Sequence, residues 1–135
     1  MEELFYKIGE IIEDSEFKPH IWGDCNHINA TVAKFLTIKG FENIIPVSGF
    51  VLCDIPDKVD YVIDPKHFWI KYNNLVLDFA SMQFSNSFFD DELNNKMNEY
   101  YFFGDCERYN EKSSFLIDNE WVNFNLLNQL LIKAI

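Results

Sequence analysis

The sequence has 135 residues, a formal net charge of -11 and 48% hydrophobic residues, which is the size and composition of one globular domain. We therefore expect a single domain over residues 1–135. Aromatic residues make up 17% of the chain, too many for a disordered acidic protein. The 22 acidic and 11 basic residues, with the lysines scattered singly, argue against nucleic-acid binding. A basic or neutral partner fits this net charge better, and a basic protein is one candidate.

The chain contains three cysteines, Cys25, Cys53 and Cys106, without a CxxC pair. This pattern is not typical of a disulfide framework or a zinc site, so we expect no metal and no cofactor. Met1-Glu2-Glu3 is acidic where a signal peptide is basic, and no apolar run has the length of a membrane span, about 18 residues. The sequence predicts a cytoplasmic protein without membrane association, whose thiols remain reduced.

The N-terminal third predicts two helices. Apolar residues at helical spacing over 3–13 indicate an amphipathic helix that ends near Asp14. After an aperiodic loop, a second helix begins behind Asp24, its predicted N-cap, and ends at Lys39-Gly40. Cys25 therefore lies in the first turn of the second helix.

The rest of the chain predicts strands and a closing helix. Residues 44–53 indicate a strand with a bend or bulge at Gly49, and 59–63 indicate a short strand extension. Residues 120–134 predict a C-terminal helix capped by Asp118 or Asn119. Weaker patterns predict a short helix and two strands, at 90–97, 100–103 and 114–117.

A tight hairpin is the clearest local pattern in the chain. Two β-rich runs, 67–72 and 75–80, flank Asn73-Asn74, which predicts a two-residue turn of the I′ type because Asn tolerates positive φ. Tyr72 then lies opposite Leu75, and the register follows by alternation. One face of the hairpin holds His67, Trp69 and Asp78, and the other holds Phe68, Ile70, Leu77 and Phe79.

Cys25, His67 and Asp78 combine into a candidate catalytic site. A thiol in the first turn of a helix lies near unpaired N–H groups and the positive end of the helix dipole, which favour the thiolate. A nucleophilic cysteine also needs a base, and the base needs a group that holds its ring and tautomer. The predicted register makes His67 and Asp78 diagonal neighbours, with β-carbons about 5–8 Å apart. We expect the helix of Cys25 to pack its N-terminus over this pair.

These residues resemble a known family. Gly23-Asp24-Cys25 at a helix start, His67-Phe68-Trp69 on a strand and Leu77-Asp78-Phe79 on the next look like the transglutaminase-like branch of the papain-like cysteine hydrolases. In that family Cys, His and Asp recur in this order, often with an aromatic residue two positions after the histidine. The resemblance covers about residues 20–84. It implies an α+β papain-like domain whose cysteine helix packs on a small antiparallel β-sheet, with flanking N- and C-terminal helices.

The resemblance also implies acyl chemistry through a thioester, as in a cysteine protease, an amidase or a transglutaminase-like acyltransferase. Cys25 attacks an amide or ester carbonyl, His67 takes the thiol proton and later protonates the leaving group, and Asp78 keeps His67 oriented. The substrate is then a protein, a peptide or a small amide. His20, Trp22 and the backbone N–H of Cys25 are the candidate oxyanion donors.

Some residues keep two interpretations. Trp69 is either a wall of the cleft or part of the core beneath the helix. His27 lies two residues from Cys25, but helical positions i and i+2 diverge by about 200°, so we expect a surface or capping residue rather than the base. Cys53 and Cys106 are expected in the core because cysteine is among the most buried residue types.

A second functional hypothesis is a non-catalytic binding protein that retains the papain-like fold and uses its acidic surface to bind a basic partner. The aspartates at 54, 57, 60 and 64 are expected to form a solvated loop face rather than a cation site. The two hypotheses differ in the thiol. An enzyme needs an activated Cys25, whereas a binding module has an ordinary thiol and a strongly salt-dependent partner interaction.

Overall fold

The computed structural model describes residues 1–15, 25–55, 58–62, 67–79, 102–105 and 109–134, with side chains except at 25, 26, 51–55 and 58–62. In this part of the chain, α-helices pack against a six-stranded sheet whose paired strands are antiparallel. The predicted α+β class is confirmed. No helix within the described ranges has both the length and the apolar character needed to cross a membrane.

The helices are α1 (Glu2–Glu13), α2 (Cys25–Ile38) and α3 (Phe124–Lys133). The first two agree with the predicted helices. After α2, Gly40 has a φ of 93°, and the N–H of Phe41 donates to the carbonyl of Leu36 at 3.1 Å. A left-handed residue of this kind ends many helices, and glycine adopts it without strain. Asp24, the predicted N-cap of α2, lies outside the described residues.

The strands are β1 (Ile44–Ile55), β2 (Lys58–Val62), β3 (His67–Tyr72), β4 (Leu75–Asp78), β5 (Phe102–Gly104) and β6 (Tyr109–Ser114). Their order is β2-β1-β3-β4-β5, and β6 pairs with β1. The predicted strands at 44–53 and 59–63 are confirmed by β1 and β2. The predicted bulge is also present, because the register between β1 and β6 shifts between Ser48 and Gly49.

The β3–β4 hairpin has the predicted register. Tyr72 pairs with Leu75 and Ile70 pairs with Leu77 across the two strands. Positive φ occurs at Asn73 (54°) and not at Asn74, so the turn departs from the predicted I′ type, which needs positive φ at both central residues.

The C-terminal region corrects two predictions. The last strand is β6, earlier than the predicted strand at 114–117, and Leu116 is 93% exposed. The last helix begins after Asn123, whose side chain accepts from the N–H groups of residues 125 and 126, both at 3.1 Å. Asp118, the predicted cap, instead accepts from the N–H of Glu120 in a short 3₁₀ turn, Asn119–Trp121. The predicted strand at 100–103 corresponds in part to β5, and the predicted helix at 90–97 lies outside the described residues.

One hydrophobic core lies between the three helices and one face of the β3–β4 hairpin. It includes Phe5 and Ile8 from α1, Val32, Phe35 and Leu36 from α2, Leu126 and Leu130 from α3, and Ile70, Leu77 and Phe79 from the hairpin. This is the predicted apolar face of the hairpin. Phe68, which was predicted on the same face, is half-buried and packs against Phe115 and Trp121. His67 and Trp69 alternate with these residues along β3, so they lie on the opposite face.

Candidate active site

A buried pair of His67 and Asp78 forms the centre of the site. Nε2 of His67 lies 2.7 Å from Oδ2 of Asp78, and the two side chains are 3% and 0% exposed. Since a carboxylate only accepts, the imidazole N–H is on Nε2 and donates to Asp78, which leaves the acid–base role to the Nδ1 side of the ring. The pairing predicted from the hairpin register is therefore present at hydrogen-bond distance.

Two further side chains hold the carboxylate of Asp78. Nδ2 of Asn29 donates to Oδ1 at 3.1 Å, and the hydroxyl of Tyr109 donates to Oδ2 at 2.7 Å. A buried carboxylate is tolerated when such donors replace the water that it has lost. Both oxygens of Asp78 therefore have protein donors, and Oδ2 has two of them, His67 and Tyr109.

Asn29 connects α2 to both strands of the hairpin. Besides Asp78, its Nδ2 donates to the carbonyl of Phe68 in β3 at 2.9 Å, and its Oδ1 accepts from the N–H of Phe79 at 2.9 Å. The side chain is 2% exposed. Such a set of bonds fixes the position of the helix along the hairpin as well as its distance from it.

Cys25 is the first residue of α2 and precedes Asn29 by four positions. Residues i and i+4 are neighbours along a helix, about 6 Å apart in rise, so position 25 lies one turn before the residue that binds Asp78. The side chain of Cys25 lies outside the described residues, as do His20 and Trp22, the predicted oxyanion donors.

Aromatic rings surround the His67–Asp78 pair on its face of the sheet. The ring of Trp69 is stacked with that of His67 (centroids 6.1 Å apart, 24° between planes) and meets Tyr109 edge-on at 5.1 Å. Phe102 stacks on Tyr109 at 5.4 Å. Trp69 is 3% exposed, and it also lines a cavity of about 280 Å³ beside Lys71 and Tyr109. Trp69 is therefore not core beneath the helix, because it lies on the face of the hairpin opposite the core. Its role as a wall of the cleft stays a prediction.

Gly49 makes room for this aromatic group. It pairs with His67 across β1 and β3, and an added β-carbon would lie 2.1 Å from the carbonyl oxygen of Asn110 and 2.8 Å from the ring of Trp69. No side chain fits in that space without a backbone shift. Glycine at the bulge thus lets the backbone of β6 and the ring of Trp69 come close to β1.

The structure describes only some of the other predicted residues. His27 is exposed, and its Nδ1 lies 3.2 Å from the carbonyl oxygen of Trp121, which confirms a surface contact rather than a catalytic base. The side chain of Cys53 and all of Cys106 lie outside the described residues, as do the side chains at 54, 57, 60 and 64. Within the described part of the chain, no group of three or more His, Cys, Asp or Glu is placed to hold a metal ion.

Sequence reasoning missed Asn29 and Tyr109. Asn29 had a detectable signal, because it is a polar residue within the apolar stripe of α2 and lies one turn after Cys25. Tyr109 had none, since it comes to Asp78 through the pairing of β6 with β1, in which it lies opposite Val51.

Comparison of the chain with protein-family models, with curated proteins and with solved structures gives no match.

Proposed function

We propose that this protein is a thiol-dependent amide hydrolase or acyltransferase in which Cys25 is the nucleophile, His67 the base and Asp78 the residue that orients His67. The observation that carries the proposal is the buried bond between Nε2 of His67 and Asp78, tied by Asn29 to the helix that begins at Cys25. A papain-like arrangement, with the cysteine helix packed on the histidine strand, belongs to the same proposal.

The position of α2 supports the role of Cys25. Three hydrogen bonds of Asn29 hold α2 against β3 and β4, and the N-terminus of α2 is one turn away. Free N–H groups and the positive end of the dipole at a helix start stabilise a thiolate. Asp78 in turn stabilises the imidazolium that forms when His67 takes the thiol proton. Both products of the proton transfer thus have a stabilising partner.

The proposed reaction runs in two steps. The sulfur of Cys25 forms a bond to the carbonyl carbon, the carbon–nitrogen bond breaks, and His67 gives the proton to the departing amine. The product of this step is a thioester. Water or a second amine, deprotonated by His67, then attacks the thioester and releases Cys25 with its proton. Water gives hydrolysis and an amine gives transfer; the substrate is a protein, a peptide or a small amide.

Cysteine reactivity tests the proposal directly. Alkylation by iodoacetamide is followed between pH 5 and 9 by peptide mass spectrometry, with Cys53 and Cys106 as internal references. We expect Cys25 to react rapidly well below the ordinary thiol pKa of about 8.5. His67→Ala should remove this fast reaction, and Asp78→Asn should slow it, because the imidazolium that accompanies the thiolate loses its stabilising charge. Amide and ester substrates are then screened against wild type and Cys25→Ala.

His27→Ala is the matched control, because His27 lies on the same helix but binds the carbonyl of Trp121 at the surface. It should leave the reactivity of Cys25 unchanged. An ordinary thiol profile at Cys25, unaffected by His67→Ala, would contradict the proposal. It would favour the non-catalytic alternative, which salt-dependent capture of a basic partner then tests.

A further inference from the structure

The proposed function requires that His67, the base, has an intermediate proton affinity. One side chain of the structure is placed to adjust that affinity. We propose that Tyr109 is a positioning residue of the site, which acts through Asp78 to limit how tightly His67 holds its proton. The inference rests on the proposed function for its meaning, since His67 is there the base that takes a proton and returns it.

The geometry places two donors on one carboxylate oxygen. The hydroxyl of Tyr109 and Nε2 of His67 each lie 2.7 Å from Oδ2 of Asp78, while Asn29 binds Oδ1 at 3.1 Å. All four side chains are buried. A donor on Oδ2 stabilises the carboxylate on its own, and this matters most when His67 is neutral and contributes no positive charge. Tyr109 therefore favours the neutral imidazole over the imidazolium.

Asn29 keeps the carboxylate of Asp78 in place. The effect of Tyr109 on the proton affinity of His67 can therefore be distinguished from an effect on the orientation of Asp78. With Oδ1 held by the helix, loss of the Tyr109 hydroxyl leaves the carboxylate next to His67. It then acts more strongly on the imidazolium, so His67 should hold its proton more tightly. A residue that only filled space would leave the titration of His67 where it is.

Several groups of the described elements face His67 and influence its titration. Asp78 in β4 supplies a charge, Tyr109 in β6 supplies the phenol, and β1 presents Gly49. Lys71 and Glu111 lie beyond Trp69 and bind each other at 3.1 Å. Measuring in Cys25→Ala removes the thiol of the proposed nucleophile from the titration.

The test is the titration of His67 followed by nuclear magnetic resonance of labelled imidazole in Cys25→Ala. Signals are assigned by replacing His20 and His27 singly. Tyr109→Phe keeps the ring that packs on Trp69 and removes the hydroxyl, and it should raise the midpoint of His67 by about half a unit or more. An unchanged or lower midpoint would overturn the proposal.

A second measurement covers the case in which Tyr109→Phe does not fold. Labelling with 3-fluorotyrosine makes the phenol a stronger donor at nearly the same size, and it should lower the midpoint of His67. Fluorotyrosine-labelled Tyr109→Phe, where the variant folds, is the control and should match the unlabelled variant. A midpoint that stays or rises on fluorination of the wild-type tyrosines would overturn the proposal.

These titrations are independent of whether Cys25 reacts. A shift in the midpoint together with an ordinary thiol at Cys25 would support the role of Tyr109 and contradict the proposed function. Fast alkylation of Cys25 with no shift would do the reverse. If both hold, the more stable imidazolium in otherwise wild-type Tyr109→Phe favours the thiolate, so the fast alkylation of Cys25 extends to lower pH while the midpoint of His67 rises.

Discussion

The two faces of the β3–β4 hairpin are both buried, but they are stabilised in different ways. One face presents Ile70, Leu77 and Phe79 to the three helices and is held by apolar contact. The other presents His67 and Asp78, whose burial is offset by hydrogen bonds from specific side chains. Apolar contact is not directional, so the stability of the first face depends on buried area. The stability of the second face depends on hydrogen bonds between specific pairs of atoms.

This difference indicates that the polar face is not there for stability. A well-packed apolar group in place of a buried charged pair is often neutral or stabilising. The full burial of the Asp78 carboxylate, with donors from α2, β3 and β6, therefore supports the proposed catalytic role of this face. We expect the two faces to respond differently to substitution.

Phe5→Ala tests the apolar face and should have the largest effect on stability. Its ring is fully buried, with centroids 4.4 Å from Phe79 and 5.1 Å from Phe103. Removing it leaves a cavity, so the free energy of unfolding in urea should fall by about 3–5 kcal/mol. Tyr6→Ala is the control, because Tyr6 is half-exposed. We expect it to lower the free energy of unfolding by less than about 1 kcal/mol. Equal losses in the two variants would contradict an apolar core at Phe5.

Asn29→Ala tests the polar face and should affect both stability and the site. It leaves the N–H of Phe79 and Oδ1 of Asp78 without this buried partner, so unfolding free energy should fall by about 2–4 kcal/mol. The fast alkylation of Cys25 should slow as well, because α2 loses its register on the hairpin. Thr37→Ala removes an exposed hydroxyl of the same helix and serves as the control for both measurements. Unchanged Cys25 reactivity in folded Asn29→Ala would show that the reactivity of Cys25 does not depend on the docking of α2 through Asn29.

Gly49→Ala tests the packing of the polar face against β1. The added methyl group meets a backbone oxygen of β6 and the Trp69 ring, so we expect a loss of about 1–3 kcal/mol in thermal or urea unfolding. The imidazole signal of His67, directly opposite, should shift. Gly40→Ala is the matched control, since Gly40 has positive φ but no atom within 4 Å of an added β-carbon. It should cost about 1 kcal/mol through backbone strain and leave the His67 signal unchanged.

Lys71→Ala tests the solvent-exposed margin of the polar face. Its ammonium lies 3.1 Å from Glu111, and both side chains are 38% exposed. Exposed ion pairs contribute little, so unfolding free energy should change by less than about 0.5 kcal/mol, and less again in 1 M salt. A loss comparable to that of Asn29→Ala would show that the dependence on individual atoms extends to the solvent-exposed rim.

The His67–Asp78 pair was predictable because it is local. A two-residue turn and strict alternation fix the register of a hairpin, so the residues that share a face follow from the sequence once the turn is located. The start of α2 at Cys25 was predictable for the same reason, from a few adjacent residues. The α+β class followed from the sum of such local patterns.

The rest of the site depends on long-range pairing that leaves no local pattern. β6 has the sequence YNEKSS, whose exposed outer residues show no apolar alternation, while the apolar residues that follow it suggested a strand too late in the chain. Backbone bonds to β1 hold β6 in place, and they bring Tyr109 to the site. The start of α3 was missed because two capping residues compete. Asp118 caps the 3₁₀ turn, and the extended conformation of Val122 separates that turn from the helix capped by Asn123.

The bond from the N–H of Phe79 to the side chain of Asn29 makes one amide proton a reporter of how α2 is docked. Strand amides are mostly protected by a neighbouring strand, but the amide of Phe79, directly after β4, bonds to a helix side chain 50 residues away. Its hydrogen exchange therefore requires α2 to separate from the end of β4, even while the sheet stays paired. The exchange rate at this single position measures how often the helix carrying Cys25 leaves the histidine and carboxylate with which it would act.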